Sequence, residues 1–152
     1  VSSPGPAPQT ERDPASGAYL LEDQVGFVLR QVQQRHTTIF AAAFGEDMTP
    51  LQWAALAKLH DVGECSQNQL GRLVATDVAT IKGVVERLVR RGLVETRPDS
   101  SDRRRLLLRL SAGGHTAYAE GVGTALAVTE ATFGPLVPAE RAQLLGLLDR
   151  LR

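Results

Sequence analysis

The chain has one cysteine, three histidines and no formal net charge in 152 residues. A single cysteine cannot close an internal disulfide, and Cys65, His36, His60 and His115 are too scattered for the ligand spacing of a metal centre. There is no secretory apolar core and no run long enough to span a bilayer, so the expected setting is reducing and cytoplasmic, with no membrane partner. No hydrolytic triad pattern or pairing of acid and base groups stands out, and Gly63 to Gly71 is not a phosphate loop, so neither an enzyme nor a cofactor is expected. Zero net charge also excludes a histone-like protein that coats nucleic acid indiscriminately.

The charge is segregated rather than absent. Between residues 82 and 109 there are nine basic residues against four acidic ones, a local excess of five. Acidic residues elsewhere, such as Glu11, Asp13, Glu46, Asp47, Asp61 and Glu64, offset it. The excess falls within DVATIKGVVERLVRRGLVETRPDSSDRRRLLLRLS, residues 77–111, the stretch around which the chain is organised. Val78, Ile81, Val85, Leu88 and Val89 recur at helical spacing, which leaves Ala79, Lys82, Gly83, Glu86 and Arg90 on the other face. After Arg91 and Gly92 the pattern changes to two short β-type runs, LVETR and LLLRL, joined by a charged loop. A basic helix face beside a basic hairpin tip suits a polyanion better than a substrate pocket.

Residues 1–18 carry four prolines among small and polar residues and read as a disordered tail. A long helix is expected from Tyr19 to about Gly45 within an N-terminal dimerisation segment, residues 19–48. Thr49 and Pro50 start the next helix, and Ser66 with Gln69 has the capping-box spacing of a short helix through Val74. Asp77, positioned to accept from the Thr80 amide, starts the helix after it. Residues 49–111 therefore read as a winged helix-turn-helix, a mainly α fold with a small β-hairpin wing. Residues 112–152 read as two further helices, the last with a leucine stripe that a monomer would expose, so both ends of the chain are expected to dimerise.

The candidate contacts with double-stranded DNA follow from this layout. Ala79, Thr80, Lys82 and Gly83 form the half of the helix that approaches base edges, and Arg87 reaches bases or phosphates. Gly83 weakens a helix, which either close approach of DNA or tight packing against a neighbouring helix explains. Ser66, Gln67 and Asn68 stand where helix amides favour a phosphate. In the wing, Asp102 is expected to orient one of Arg103, Arg104 and Arg105 into the minor groove; the alternative is a solvated charged loop.

From residue 20 onward the chain resembles the MarR family of transcriptional regulators. The resemblance rests on TPLQWAALAKL, on SQNQLGRLVATDVATIKGVVERLVRRGLVETR, and above all on DSSDRRRLLLRLSAGG, which is similar to the family's wing pattern of Asp, any residue, Arg, and an alternating strand ending in Leu and Thr or Ser. It places Asp102 and Arg104 at the wing's Asp and Arg and Ala79 to Gly83 at the base-reading positions. Ser111 stands where Thr is commoner, and Gly113 where lysine is usual. The resemblance implies a homodimeric repressor that binds a pseudo-palindromic operator through two successive major grooves. It also implies release by a small phenolic or aromatic carboxylate effector held between the dimer helices and the DNA-binding lobe.

The candidate effector lining is Phe27, Arg30, His36, Phe40, Trp53 and His60. Arg30 or a histidine would hold the carboxylate and the rings its apolar body, although the aromatic residues also suit a plain core. Two alternatives stay open. One is a repressor that senses oxidants through Cys65, and the other is a dimeric interaction module that binds no DNA.

Overall fold

The computed structural model describes residues 19–152, so the expected tail lies outside the described residues. A short 3₁₀ turn, Leu21–Asp23, precedes α1, Val25–Phe44. The expected helix start at Tyr19 is therefore six residues early. Gln24 has extended backbone (φ −80°, ψ 125°) and its side-chain amide donates to the Leu20 carbonyl at 2.9 Å, which fixes a turn where the apolar spacing continues a helix. Gly45 ends α1 at φ 78°, a conformation that side chains with a Cβ resist.

Helix α2, Pro50–Val62, begins with a reciprocal capping box: the Gln52 amide donates to Thr49 Oγ1 at 3.2 Å and the Thr49 amide to Gln52 Oε1 at 3.1 Å. Strand β1, Glu64–Ser66, leads into α3, Gln67–Leu73, where Ser66 Oγ accepts from the Gln69 amide at 3.3 Å. The tight connection to α4, Val78–Arg90, passes through Ala75 at φ 54°, a left-handed conformation worth roughly 1–2 kcal/mol of strain in a residue with a Cβ. Asp77 caps α4 as its position predicts, accepting from the Thr80 amide at 2.8 Å.

Strands β2, Val94–Pro98, and β3, Leu106–Leu110, follow. Strands β2 and β3 pair as the expected hairpin, and β1 adds a third antiparallel strand on β3, giving the order β1-β3-β2 with Leu108 opposite both Cys65 and Thr96. A three-residue strand has too little periodicity to be read from ECS alone. Its addition places the buried Cys65 and Leu108 in the same core as Leu56, Leu59, Leu70, Ile81 and Leu88.

The inward face of α4 also differs from the expected one. Ile81, Val84, Val85 and Leu88 are buried, whereas Val78 is 66% exposed and Val89 is also exposed. The i, i+3, i+4, i+7 set Ile81, Val84, Val85 and Leu88 forms one stripe. Val78 and Val89 lie to one side of that stripe, and Val89 lines an open depression beside Thr96 and Leu106 of the sheet.

Helix α5, Ala112–Phe133, runs unbroken through its glycines to a turn before α6, Pro138–Asp149. Two of those glycines sit where a side chain does not fit. A Cβ on Gly114 would lie 2.0 Å from the Leu93 carbonyl oxygen, and one on Gly121 would lie 2.4 Å from the Trp53 ring. Ser111 serves as the cap, accepting from the Gly114 amide at 3.0 Å while its hydroxyl donates to the Gly92 carbonyl at 2.5 Å. Either serine or threonine supplies that hydroxyl.

Helix α5 packs along α1, and Arg35 fixes the pair by donating to the Thr132 and Ala131 carbonyls at 2.6 and 3.0 Å. Helix α6 buries none of its residues, and Val25, Val32, Leu126, Leu145 and Leu147 are also exposed. No helix among the described residues is long and apolar enough to cross a membrane.

Candidate functional site

The start of α3, the exposed side of α4 and the wing meet around two adjoining depressions. One, of about 300 Å³, is lined by Ser66, Gln67, Asn68, Arg104, Arg105 and Leu106. The other, of about 450 Å³, runs from Gln67 along Val85, Glu86, Val89 and Arg90 to Thr96 and Leu106. The structure thus brings together three segments that lie far apart in the chain.

Within α4, Ala79, Thr80 and Lys82 are exposed and Gly83 is half-buried. A Cβ built on Gly83 meets nothing within 4 Å, so helix packing inside this chain does not explain the glycine. The Thr80 hydroxyl donates to Asp77 Oδ2 at 2.7 Å, which commits its proton to the cap and leaves its oxygen as an acceptor. These two bonds from Thr80 hold the Asp77 carboxyl below the usual carboxylate range, the hydroxyl bond first and the amide bond second. Lys82 reaches Glu86 at 4.0 Å, an exposed pair that water screens.

The local positive excess is narrower than the residue count suggests. Arg97 grips Glu64 through two bonds of 2.6 Å, and Arg109 pairs with Glu95 at 2.6 Å across β2 and β3. Both arginines are thus neutralised on the outer face of the sheet. Arg91 donates to the Asp47 carbonyl. Among the described residues, Arg87, Arg90, Arg103 and Arg104 have no side-chain hydrogen bond or ion pair. The unpaired cations therefore lie along α4 and at the wing tip.

The wing corrects one expectation. Asp102 Oδ1 accepts from the Arg104 backbone amide at 3.0 Å and orients no arginine side chain. That role belongs to Asp99, which the sequence reading passed over: its Oδ2 accepts from Arg105 Nε at 2.8 Å and also from Nη2. Pro-Asp-Ser-Ser is a turn composition in which Asp bonds an amide two residues on, so a local signal was present. Burial was not readable from it. Asp99 is 5% exposed, because the chain folds the loop back over it.

The candidate effector residues divide into two groups. His36, Phe40, Trp53 and His60 belong to one aromatic ladder, completed by Phe44, Tyr118 and His115, which were not nominated. Phe40 stacks on Phe44 at 4.4 Å, Phe44 tilts against Trp53 at 5.1 Å, Trp53 stacks on Tyr118 at 5.5 Å and Tyr118 on His60 at 4.1 Å. Tyr118 and His115 come from α5, more than fifty residues beyond His60 in sequence, and no spacing rule points to them. Phe27 is half-buried and Arg30 exposed, and neither takes part in a ring contact or hydrogen bond among the described residues.

His36 Nδ1 lies 3.0 Å from Thr132 Oγ1, whose own proton goes to the Val128 carbonyl at 2.8 Å. Nδ1 must therefore carry the proton and donate, which leaves Nε2 as the open site of the neutral ring. His36 is thus a partnered histidine that, among the described residues, still presents one free ring nitrogen.

Cys65 does not fit the redox alternative. It is 2% exposed, and burial followed by the nearby Glu64 carboxylate pushes its thiol up from the ordinary value. An oxidant-sensing cysteine needs the opposite, an accessible and stabilised thiolate. Among the described residues no group of three or more His, Cys, Asp or Glu side chains could hold a metal ion.

Comparison with known proteins gives concordant relatives. Residues 46–105 match the model of the MarR family. The helix-turn-helix-type transcriptional repressor NicR of Pseudomonas putida is 38% identical over 134 residues, which cover 88% of this chain and 85% of NicR. A probable transcriptional regulator from Pseudomonas aeruginosa is 50% identical with a TM-score of 0.83, covering 88% of this chain and 100% of its own. BpsR of Bordetella bronchiseptica, described as regulated in its DNA binding by 6-hydroxynicotinic acid, is 38% identical with a TM-score of 0.84, covering 89% of this chain and 97% of its own.

Proposed function

The chain belongs to the MarR family, and from that premise we propose that it is a repressor that binds a pseudo-palindromic operator as a homodimer and is released by a small aromatic acid. The observation that carries the reading is the placement of every unpaired arginine of the basic stretch on α4 or the wing tip, beside the exposed Ala79, Thr80 and Lys82. In this reading α4 lies in the major groove, and Arg103 and Arg104 reach the flanking minor groove. The apolar faces left uncovered on α1, α5 and α6 meet their counterparts in a second copy, which sets two α4 helices about one helical turn of DNA apart.

The effector is a hydroxylated aromatic or pyridine carboxylate, a class supported by the acid that regulates BpsR. The aromatic ladder between α1, α2 and α5 supplies ring faces, and His36 Nε2 supplies a polar group. Because the ladder joins the α1–α5 pair to α2 of the DNA-binding lobe, a ligand inserted beside it would change the separation of the two α4 helices.

The test is a titration of the purified protein against DNA upstream of its own gene, at several salt concentrations and with a panel of aromatic and pyridine carboxylates. Tight binding that falls steeply with salt and is relieved by one acid is expected. Salt-independent or absent binding would make the chain an interaction module.

A further inference from the structure

The loop between β2 and β3 is held together by one carboxylate. Asp99 Oδ1 accepts from the Ser101 amide and hydroxyl, each at 2.8 Å, and Oδ2 accepts from Arg105 through Nε at 2.8 Å and through Nη2. Backbone bonds close the same loop: the Asp99 amide donates to the Arg105 carbonyl and the Arg105 amide to the Asp102 carbonyl, both at 2.9 Å. The Asp99 side chain is buried beneath a guanidinium that is itself half in solvent. Ser101, Asp102 and the backbone of Arg104 are all tied in, while the side chains of Arg103 and Arg104 project without a partner among the described residues.

We propose that Asp99 and Arg105 form a brace that positions the wing tip, so that Arg105 is a positioning residue and Arg103 and Arg104 make the contacts with DNA. The proposal rests on the DNA-binding reading above and changes the division of labour within the arginine triplet. A surface loop of this length pays conformational entropy whenever it must be ordered on binding, and a brace made in the free protein removes that step. The two-bond fork is also specific to arginine, since lysine offers a point charge without the paired geometry.

Asp99→Asn separates the brace from simple electrostatics, because the two predict opposite signs. Removing a negative charge beside a DNA-binding surface should tighten binding if Arg105 contacts phosphate. The brace predicts roughly tenfold weaker binding to the upstream DNA, the scale of a lost charge-assisted bond. Arg105→Gln is the second variant. It should weaken binding while leaving the slope of log affinity against log salt unchanged, whereas a lost phosphate contact would lower the slope by about 0.9.

A readout without DNA keeps the brace testable if the DNA-binding reading fails. In Asp99→Asn, trypsin should cut after Arg103 and Arg104 faster than in the wild type at unchanged overall helicity. Unchanged cleavage, or tighter DNA binding by Asp99→Asn, would overturn the brace. Failure of the wild type to bind DNA would overturn the DNA-binding reading alone.

Discussion

At the scale of single residues, Gly83 and Gly114 show how one residue type answers to different demands. Both weaken a helix, but a Cβ at Gly83 meets open space and one at Gly114 meets the Leu93 carbonyl at 2.0 Å. Gly83→Ala should therefore stabilise the isolated protein by up to about 1 kcal/mol, from helix propensity alone. On the proposed DNA-binding reading the same change should weaken operator binding, because the added methyl occupies the face of α4 that this reading turns toward DNA. Thermal unfolding and DNA titration of the one variant check both signs, and a variant that is stabilised with undiminished affinity would remove close approach as the reason for the glycine. Gly114→Ala should destabilise by about 3 kcal/mol or more, since a backbone carbonyl cannot yield as a flexible side chain can. Its unfolding midpoint in denaturant measures this directly.

At the scale of elements, α4 depends on a cap that is itself titratable. Bonds from the Thr80 hydroxyl and amide lower the Asp77 pKa, so the folded state holds the carboxylate more tightly than the unfolded chain does. The stabilisation is present above the unfolded value of about 3.9 and is lost as pH falls through the lower folded value. Asp77→Asn keeps a capping oxygen but cannot titrate, so its stability deficit relative to the wild type should shrink as pH drops below about 4. Thermal unfolding across that range tests it; a deficit that stays constant would mean the cap acts only through geometry. The starts of α2 and α4 were legible because Thr49 and Asp77 carry their caps in the local sequence. The start of α1 and the strand β1 were not, since a single extended residue and a three-residue pairing leave no periodic trace.

At the scale of the whole molecule, the described residues leave apolar side chains of α1, α5 and α6 uncovered. Leu145 and Leu147 on α6 are exposed, and helix α6 buries nothing within its own chain. The proposed homodimer predicts that a charge at such a position, as in Leu145→Asp, shifts the protein from dimer to monomer in sedimentation at micromolar concentration. Operator affinity should fall roughly a hundredfold as two linked half-sites become independent. A dimer of undiminished stability would place the interface elsewhere.

The sequence by itself determined the helix-turn-helix, its caps, the wing and the segregation of positive charge, because each depends on residues within a turn or two of one another. Only the tertiary structure decided that Arg97 and Arg109 are neutralised while Arg103 and Arg104 are not, since the partners Glu64 and Glu95 reach them across strand pairings. It likewise decided that Asp99 rather than Asp102 holds an arginine, and that α5 contributes Tyr118 to the aromatic ladder. Side chains that meet through non-local backbone pairing or helix packing are chosen by shape and distance, and these quantities do not exist until the chain has folded.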